Sequence, residues 1–157
     1  MKKYFKLFVL IVLMVGLFLT SFSVSFAQKK YEVAVLLPGT VEFFSVQRRG
    51  IDKAAEEFGL NIIYADAEWD AGKQLSQVEN FIVKKVDAIM LCAADNMALI
   101  PAVKLCNDAN IPLISFTNCL GKDTEGKYPG VVSFIGRSKL GLVLSRGKWL
   151  NHYWVIE

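Results

Sequence analysis

From residue 31 onward the chain alternates two kinds of apolar pattern. Short, nearly unbroken apolar runs at 31–37 (YEVAVLL), 61–65 (NIIYA), 86–92 (VDAIMLC) and 112–116 (PLISF) read as strands buried on both faces. Between them, apolar residues recur at helical spacing. Positions 46, 51, 54, 55 and 58 form one stripe, Leu75, Val78, Phe81 and Ile82 a second, and Ile100, Val103 and Cys106 a third. The spacing predicts helices over 46–58, 73–84 and from Asp95 or Asn96 through Ala109. Pro38-Gly39 breaks the first strand, Gly59 stands where a helix stop belongs, and Pro101 falls in a first turn, where proline is tolerated. Strand and helix in alternation predict an α/β fold: a three-layer parallel sheet with helices on both faces and right-handed crossovers. Ligands of such open sheets bind beyond the carboxyl ends of the strands. That points to four loops, 38–45, 66–72, 93–96 and 117–120.

Beyond the fourth strand the regularity weakens. Residues 120–130 (LGKDTEGKYPG) read as a linker, 131–135 (VVSFI) as a fifth strand, and 140–150 as a helix weakened by Gly141 and Gly147. The tail, 151–157 (NHYWVIE), matches no element.

The first 27 residues have a separate logic. Lys2, Lys3 and Lys6 precede an apolar run over 7–19, and Ser25-Phe26-Ala27 supplies a small-residue cleavage site. This is the layout of a cleaved export signal, and the run is short for a membrane-spanning helix, which needs about 20 residues. The expected location is periplasmic or extracellular. The signal holds three of the 18 basic residues and none of the 15 acidic ones, so the remainder carries no net charge. Such a balance gives no electrostatic basis for binding nucleic acid or an anionic membrane. Three cysteines cannot form a fully paired disulfide framework. Cys92 and Cys106 read as small core residues and Cys119 as an incidental loop residue.

Catalytic signals are poor. The one histidine, His152, lies in the tail, so no Ser-His or Cys-His pair is supported. Gly136-Arg137-Ser138 opens like a nucleophile elbow without its closing glycine, and no G-x-G-x-x-G follows the first strand. Nothing calls for a catalytic residue, a metal or a cofactor. The candidates are instead for binding. Phe43 and Phe44 fall where the strand-end rule puts a ligand, and flat rings suit the apolar face of a sugar, although the pair could equally be a helix-entry staple packing inward. Trp69, beside Asp70, has the same two readings. Asp95 could cap its helix or accept ligand hydroxyls. Arg48-Arg49 read as a solvated helix face, with a partner contact as the alternative.

Taken together, EFFSVQRRGIDKAAEEFGL, DAEWDAGKQLSQVENFIVKKVDAIMLCAAD and PAVKLCNDANIPLISF resemble the periplasmic sugar-binding proteins of ABC transporters, of the ribose-binding type. The combination of F-F, K-Q-L-S-Q-V, V-D-A-I and N-I-P carries the resemblance. It implies two α/β lobes that close on a sugar or polyol, and a membrane permease as partner. By position, Phe43 and Phe44 match sugar-stacking aromatics, Thr117 and Asn118 match polar residues that bind sugar hydroxyls, and Asp95 matches an acidic residue near the site. There are departures. Val41 and Glu42 replace asparagine and proline, and Thr117-Asn118 replaces an Asp-Arg pair, which removes a bidentate clamp. The ligand expectation therefore extends to other sugars, polyols and small polar metabolites.

The resemblance implies a crossing to the second lobe near 117–122. The expected organisation is a signal over 1–27, an incomplete ligand-binding lobe over 28–118, a hinge over 119–130, and the start of a second lobe with an aberrant tail over 131–157. This suggests a truncated or frameshifted reading frame, or half of a split protein whose second lobe is on another chain. An exposed apolar patch is expected around Val131, Val132, Phe134, Leu142 and Trp149. The leading expectation is a secreted solute-binding protein for a sugar-like ligand. The alternative is a sensory module of the same fold, membrane-anchored by an uncleaved N-terminal helix or periplasmic.

Overall fold

The computed structural model describes residues 4, 30–122, 126–138, 141–150 and 153–156. Apart from Tyr4, the expected export signal lies outside them. The first strand, β1 (Glu32–Leu37), is buried along nearly its whole length. Its side chains alternate, as the two-residue period of a strand requires. Val33, Val35 and Leu37 enter one cluster with Phe44, Cys92 and Phe116, whereas Ala34 and Leu36 enter another with Val78, Phe81, Leu99 and Cys106. A strand clamped between two cores must be apolar throughout, which is why this run is the plainest strand signal in the chain.

The remaining elements are α1 (Glu42–Phe58), β2 (Asn61–Asp66), α2 (Ala71–Lys84), β3 (Ala88–Leu91), α3 (Ile100–Asp108), β4 (Leu113–Phe116), β5 (Ser133–Ser138), β6 (Gly141–Leu150) and β7 (Tyr153–Ile156). The strands form one sheet in the order β2-β1-β3-β4-β5-β6-β7. The first five run parallel, while β6 and β7 each run antiparallel to their predecessor. The chain steps one way from β1 to β2 and the other way from β2 to β3 and from β3 to β4. Right-handed crossovers then put α1 on one face and α2 and α3 on the other. The two core clusters are divided in the same way.

Local chemistry ends each helix. Gly59, at φ 66, is the left-handed C-terminal residue of α1, and its amide donates to the Ala55 carbonyl. Asp70 caps α2 by accepting from the Lys73 amide at 2.9 Å. Two starts differ from expectation. Helix α1 begins at Glu42, so Phe43 and Phe44 lie in its first turn and the loop before it shrinks to 38–41. The acidic Glu42 in the first turn and the burial of Phe44 both favour this start. Helix α3 begins at Ile100, behind a separate turn over 96–99.

The C-terminal part corrects four expectations. Where a helix was expected over 140–150, Gly141–Leu150 form strand β6. Gly141 and Gly147 each disfavour a helix by about 1 kcal/mol relative to alanine, and the stretch pairs along β5 from Ser133↔Arg146 to Ser138↔Gly141. The tail contributes β7 where no element was expected. The fifth strand is present, but it extends the same sheet: Ile114, Ser115 and Phe116 pair with Ser133, Phe134 and Ile135. Residues 131–138 therefore do not open a separate strand-helix unit, and no crossing out of the sheet occurs at 117–122. Val131 and Phe134 are each 1% exposed, so they are core and not an exposed patch. Val132 is half-buried, and the side chains of Leu142 and Trp149 lie outside what the structure describes.

Candidate functional site

Because β1 and β3 are neighbours whose following helices leave to opposite faces, the loops after them diverge and open a crevice at the carboxyl edge. Backbone strain gathers at the same edge. Among the described residues, five non-glycine residues have positive φ. Lys85 and Asn110 follow helix ends, where such geometry is ordinary. The other three, Glu68 (φ 53), Trp69 (φ 65) and Thr117 (φ 61), all lie in strand-end loops. Such residues cost about 1–3 kcal/mol each and cluster at functional sites.

The β1 and β2 loops are locked together. The Trp69 amide donates to the Pro38 carbonyl at 2.5 Å and the Ala67 amide to the Leu37 carbonyl at 3.0 Å. Asp66 accepts from the Thr40 hydroxyl and, at 2.7 Å, from the Glu68 amide. The Thr40 hydroxyl is the main reason the Asp66 carboxyl is held below its ordinary value, although partial burial opposes it. The Trp69 indole lies directly over Gly39. A β-carbon there would sit 2.2 Å from its Nε1, so only glycine leaves room for the ring as placed.

Three aromatic rings follow one another across this corner. Phe43 and Phe44 meet edge to face at 5.3 Å, and Phe44 lies 6.1 Å from Trp69. Their exposures divide the roles: Phe43 is 56% and Trp69 59% exposed, but Phe44 is 5% exposed and belongs to the core. Phe44 thus supports the other two and has almost no free face for a ligand.

The polar candidates are engaged within the protein. Asp95 Oδ1 accepts from the Met97 amide at 2.8 Å and the Ala98 amide at 2.7 Å. Those amides, Ala98 first, hold its carboxyl below the ordinary carboxylate value. Its capping role is real, although the turn it caps precedes α3. Thr117 Oγ1 accepts from Gln47 Nε2 at 2.7 Å, and Asn118 Nδ2 donates to the Ala93 carbonyl at 2.8 Å. The Thr117 hydroxyl also bonds the Cys92 thiol, so the Asn118 side-chain oxygen is the group these bonds leave with capacity for a ligand.

Three glutamines were not foreseen. Gln47 ties α1 to the end of β4. Gln74 and Gln77 tie α2 to the ends of β3 and β2: Gln74 Nε2 donates to the Cys92 carbonyl at 2.9 Å, and Gln77 Nε2 to the Asp66 carbonyl at 2.8 Å. The only available signal was the K-Q-L-S-Q-V run in the first turns of the helix after a site loop.

Elsewhere the chemistry is quiet. Burial pushes the Cys92 thiol up to about 11 and the Cys106 thiol up to about 12, so both are neutral core groups. Among the described residues, no group of three His, Cys, Asp or Glu could hold a metal. A groove of about 550 Å³ runs beside α1 over β3 to β5, lined chiefly by Phe43, Ile51, Ala54, Met90, Phe116 and Ile135. Its walls are mostly apolar and offer little to a polar ligand, and it meets the strand-end rim at Phe43 and Thr117.

Comparison with known proteins agrees with this fold. Residues 33–131 match the family model described as periplasmic binding protein domain. The ribose import binding protein of Bacillus subtilis (strain 168) is 36% identical over 73 residues, 46% of this chain and 24% of that protein. The D-ribose/D-allose-binding protein of Pseudomonas aeruginosa is 41% identical over 81 residues, 49% of this chain and 25% of that protein. Among solved structures, an ABC transporter solute binding protein from Bacillus halodurans C-125 with bound myo-inositol superposes with a TM-score of 0.63 at 26% identity, covering 74% of this chain and 39% of that one. The chain thus spans about a quarter of the length of the curated relatives it matches.

Proposed function

From the premise that the chain belongs to the periplasmic binding protein domain family, we propose that it is the ligand-binding lobe of an exported solute-binding protein. Its ligand is an uncharged sugar or polyol, and the protein delivers it to an ABC transporter permease. The observation that carries this reading is the pair of exposed rings, Phe43 and Trp69, at the carboxyl edge of β1 and β2. Aromatic faces accept the C–H faces of a sugar ring. Around them stand carboxylate, hydroxyl and amide groups from Asp66, Asp95, Thr117 and Asn118, a set that suits hydroxyl donors. Of the two bases that act on Asp66, Lys73 pairs with Glu68 at 3.0 Å and Arg48 lies over the Tyr64 ring at 4.1 Å, so the rim favours neutral ligands over phosphorylated ones.

Residues 30–118, together with strand β5, make one wall of the site. A second lobe, supplied by more of the same polypeptide or by another chain, makes the opposite wall, and ligand brings the two together. The role is capture and not turnover, and the N-terminal 27 residues direct export. One wall alone should hold a ligand with a Kd on the order of 1 mM.

Calorimetric titration with D-ribose, D-allose and myo-inositol, with ribose 5-phosphate as the charged control, tests this. Binding of at least one neutral probe, weakened about two- to tenfold by Phe43→Ala or Trp69→Ala, is expected, since stacked rings contribute roughly 0.5–1.5 kcal/mol beyond their area. Preference for the phosphate, or indifference to both substitutions, would sink the reading.

A further inference from the structure

Gln74 is 0% exposed, which is unusual for so polar a side chain. Both ends of its amide are bonded to one short segment. Nε2 donates to the Cys92 carbonyl at 2.9 Å, and Oε1 accepts from the Ala94 amide at 2.8 Å. The side chain therefore grips the backbone on both sides of Ala93, as a neighbouring strand would. The segment is held from its other side as well. Asn118 Nδ2 donates to the Ala93 carbonyl at 2.8 Å, and the Gly121 amide donates to the Asn96 carbonyl at 2.9 Å. One turn of α2 further on, Gln77 bonds the Asp66 carbonyl through Nε2 alone.

We propose that Gln74 is a positioning residue for the ligand site, holding loop 92–96 in the form in which Asp95 and the rim around it meet a ligand. It acts through the backbone and does not touch the ligand. The proposal rests on the ligand-binding reading above, and it gives the K-Q-L-S-Q-V run a purpose: its two glutamines, at i and i+3, anchor the ends of β3 and β2 to one helix. A merely space-filling Gln74 would be replaceable by an apolar residue of similar volume. A brace would not, because its loss leaves the Cys92 carbonyl and the Ala94 amide without their partners.

Amide hydrogen exchange reads the brace without any ligand. In the unaltered full chain, the Ala94 amide should exchange as slowly as the core amides of Ile89 and Leu91 in β3. Fast Ala94 exchange would overturn the proposal before any substitution is made. In Gln74→Met, Ala94 should exchange about tenfold or more faster while the Ile89 and Leu91 amides keep their relative protection, consistent with the loss of a hydrogen bond. The same variant should bind the best neutral probe about tenfold more weakly, at a temperature where it is fully folded. Unchanged Ala94 exchange, or unchanged affinity with Ala94 loosened, overturns the positioning role. If no probe binds even the unaltered chain, the ligand reading fails, and the exchange comparison alone decides whether Gln74 holds the loop. A Gln74→Met chain that does not fold leaves the decision to the Ala94 rate in the unaltered protein.

Discussion

Replacing Gly39 by alanine adds one carbon at the most crowded point of the rim. That carbon would lie 2.2 Å from Trp69 Nε1, 2.5 Å from Cε2 and 2.8 Å from Cδ1, whereas ordinary contact begins at 3.4 Å. The indole must therefore move by more than an ångström. What decides the outcome is that it can. Trp69 is 59% exposed, so only the smaller part of a side chain that can bury about 150–250 Å² is at stake. Losing half of that part, at roughly 25 cal/mol per Å², costs about 1 kcal/mol. Gly39 is not among the glycines with positive φ, so alanine adds no left-handed strain. Gly39→Ala should thus fold with a denaturation midpoint close to that of the parent, yet lose the tilted ring contact of Trp69 with Phe44. Tryptophan emission should shift, and neutral-probe affinity should fall about as far as in Trp69→Ala. Denaturant titration followed by fluorescence, with calorimetry on the same samples, measures all three. A loss of stability above about 3 kcal/mol, or unchanged emission together with unchanged affinity, would refute the reasoning.

Two further outcomes follow from the burial and charge of single groups. At pH 8 a thiol reagent should leave Cys92 and Cys106 untouched in the folded chain and react first at the half-buried Cys119, with all three thiols reacting after denaturation; rapid native labelling of all three would contradict the core assignment. Asp66 is shifted down in the folded state, so the stability it contributes is complete above the ordinary carboxylate range and is lost as pH falls through its depressed value. Thr40→Val, which removes the main cause of that shift, should flatten the acid limb of stability below about pH 4, and an identical acid limb would count against the Thr40–Asp66 bond.

Much of this fold was legible because β1 to β4 are sandwiched between two layers. A strand such as EVAVLL has no polar face to confuse its pattern, and helix α2, with Val78 and Phe81 buried on one side, shows its period clearly. Legibility failed where two periods fit equally well. In the sequence, Leu140, Val143, Leu144 and Leu150 fit a helical stripe, whereas Leu142, Leu144 and Leu150 fit alternate strand positions. Pairing with β5 is a long-range event that no local window contains, and the two glycines were a local clue against a helix only. The site was legible in its aromatics, since Pro38-Gly39 and the strand-end rule place Phe43 and Trp69 at the rim. It was not legible which ring would be buried, because Phe43 and Phe44 are adjacent on the first turn and only the packed core separates them. The glutamines stayed hidden for another reason. Gln is a surface residue by habit, and a buried amide declares itself only when the backbone it satisfies is in place.

The central claim is that a neutral polyhydroxylated ligand meets this lobe at the carboxyl edge of its parallel strands. Amide chemical-shift mapping of the labelled chain, titrated with D-allose and with myo-inositol, tests location and ligand class together. The account predicts saturable shifts concentrated at 38–43, 66–70, 93–96 and 117–121. Shifts confined to the apolar groove beside α1, or none at millimolar sugar, would contradict it.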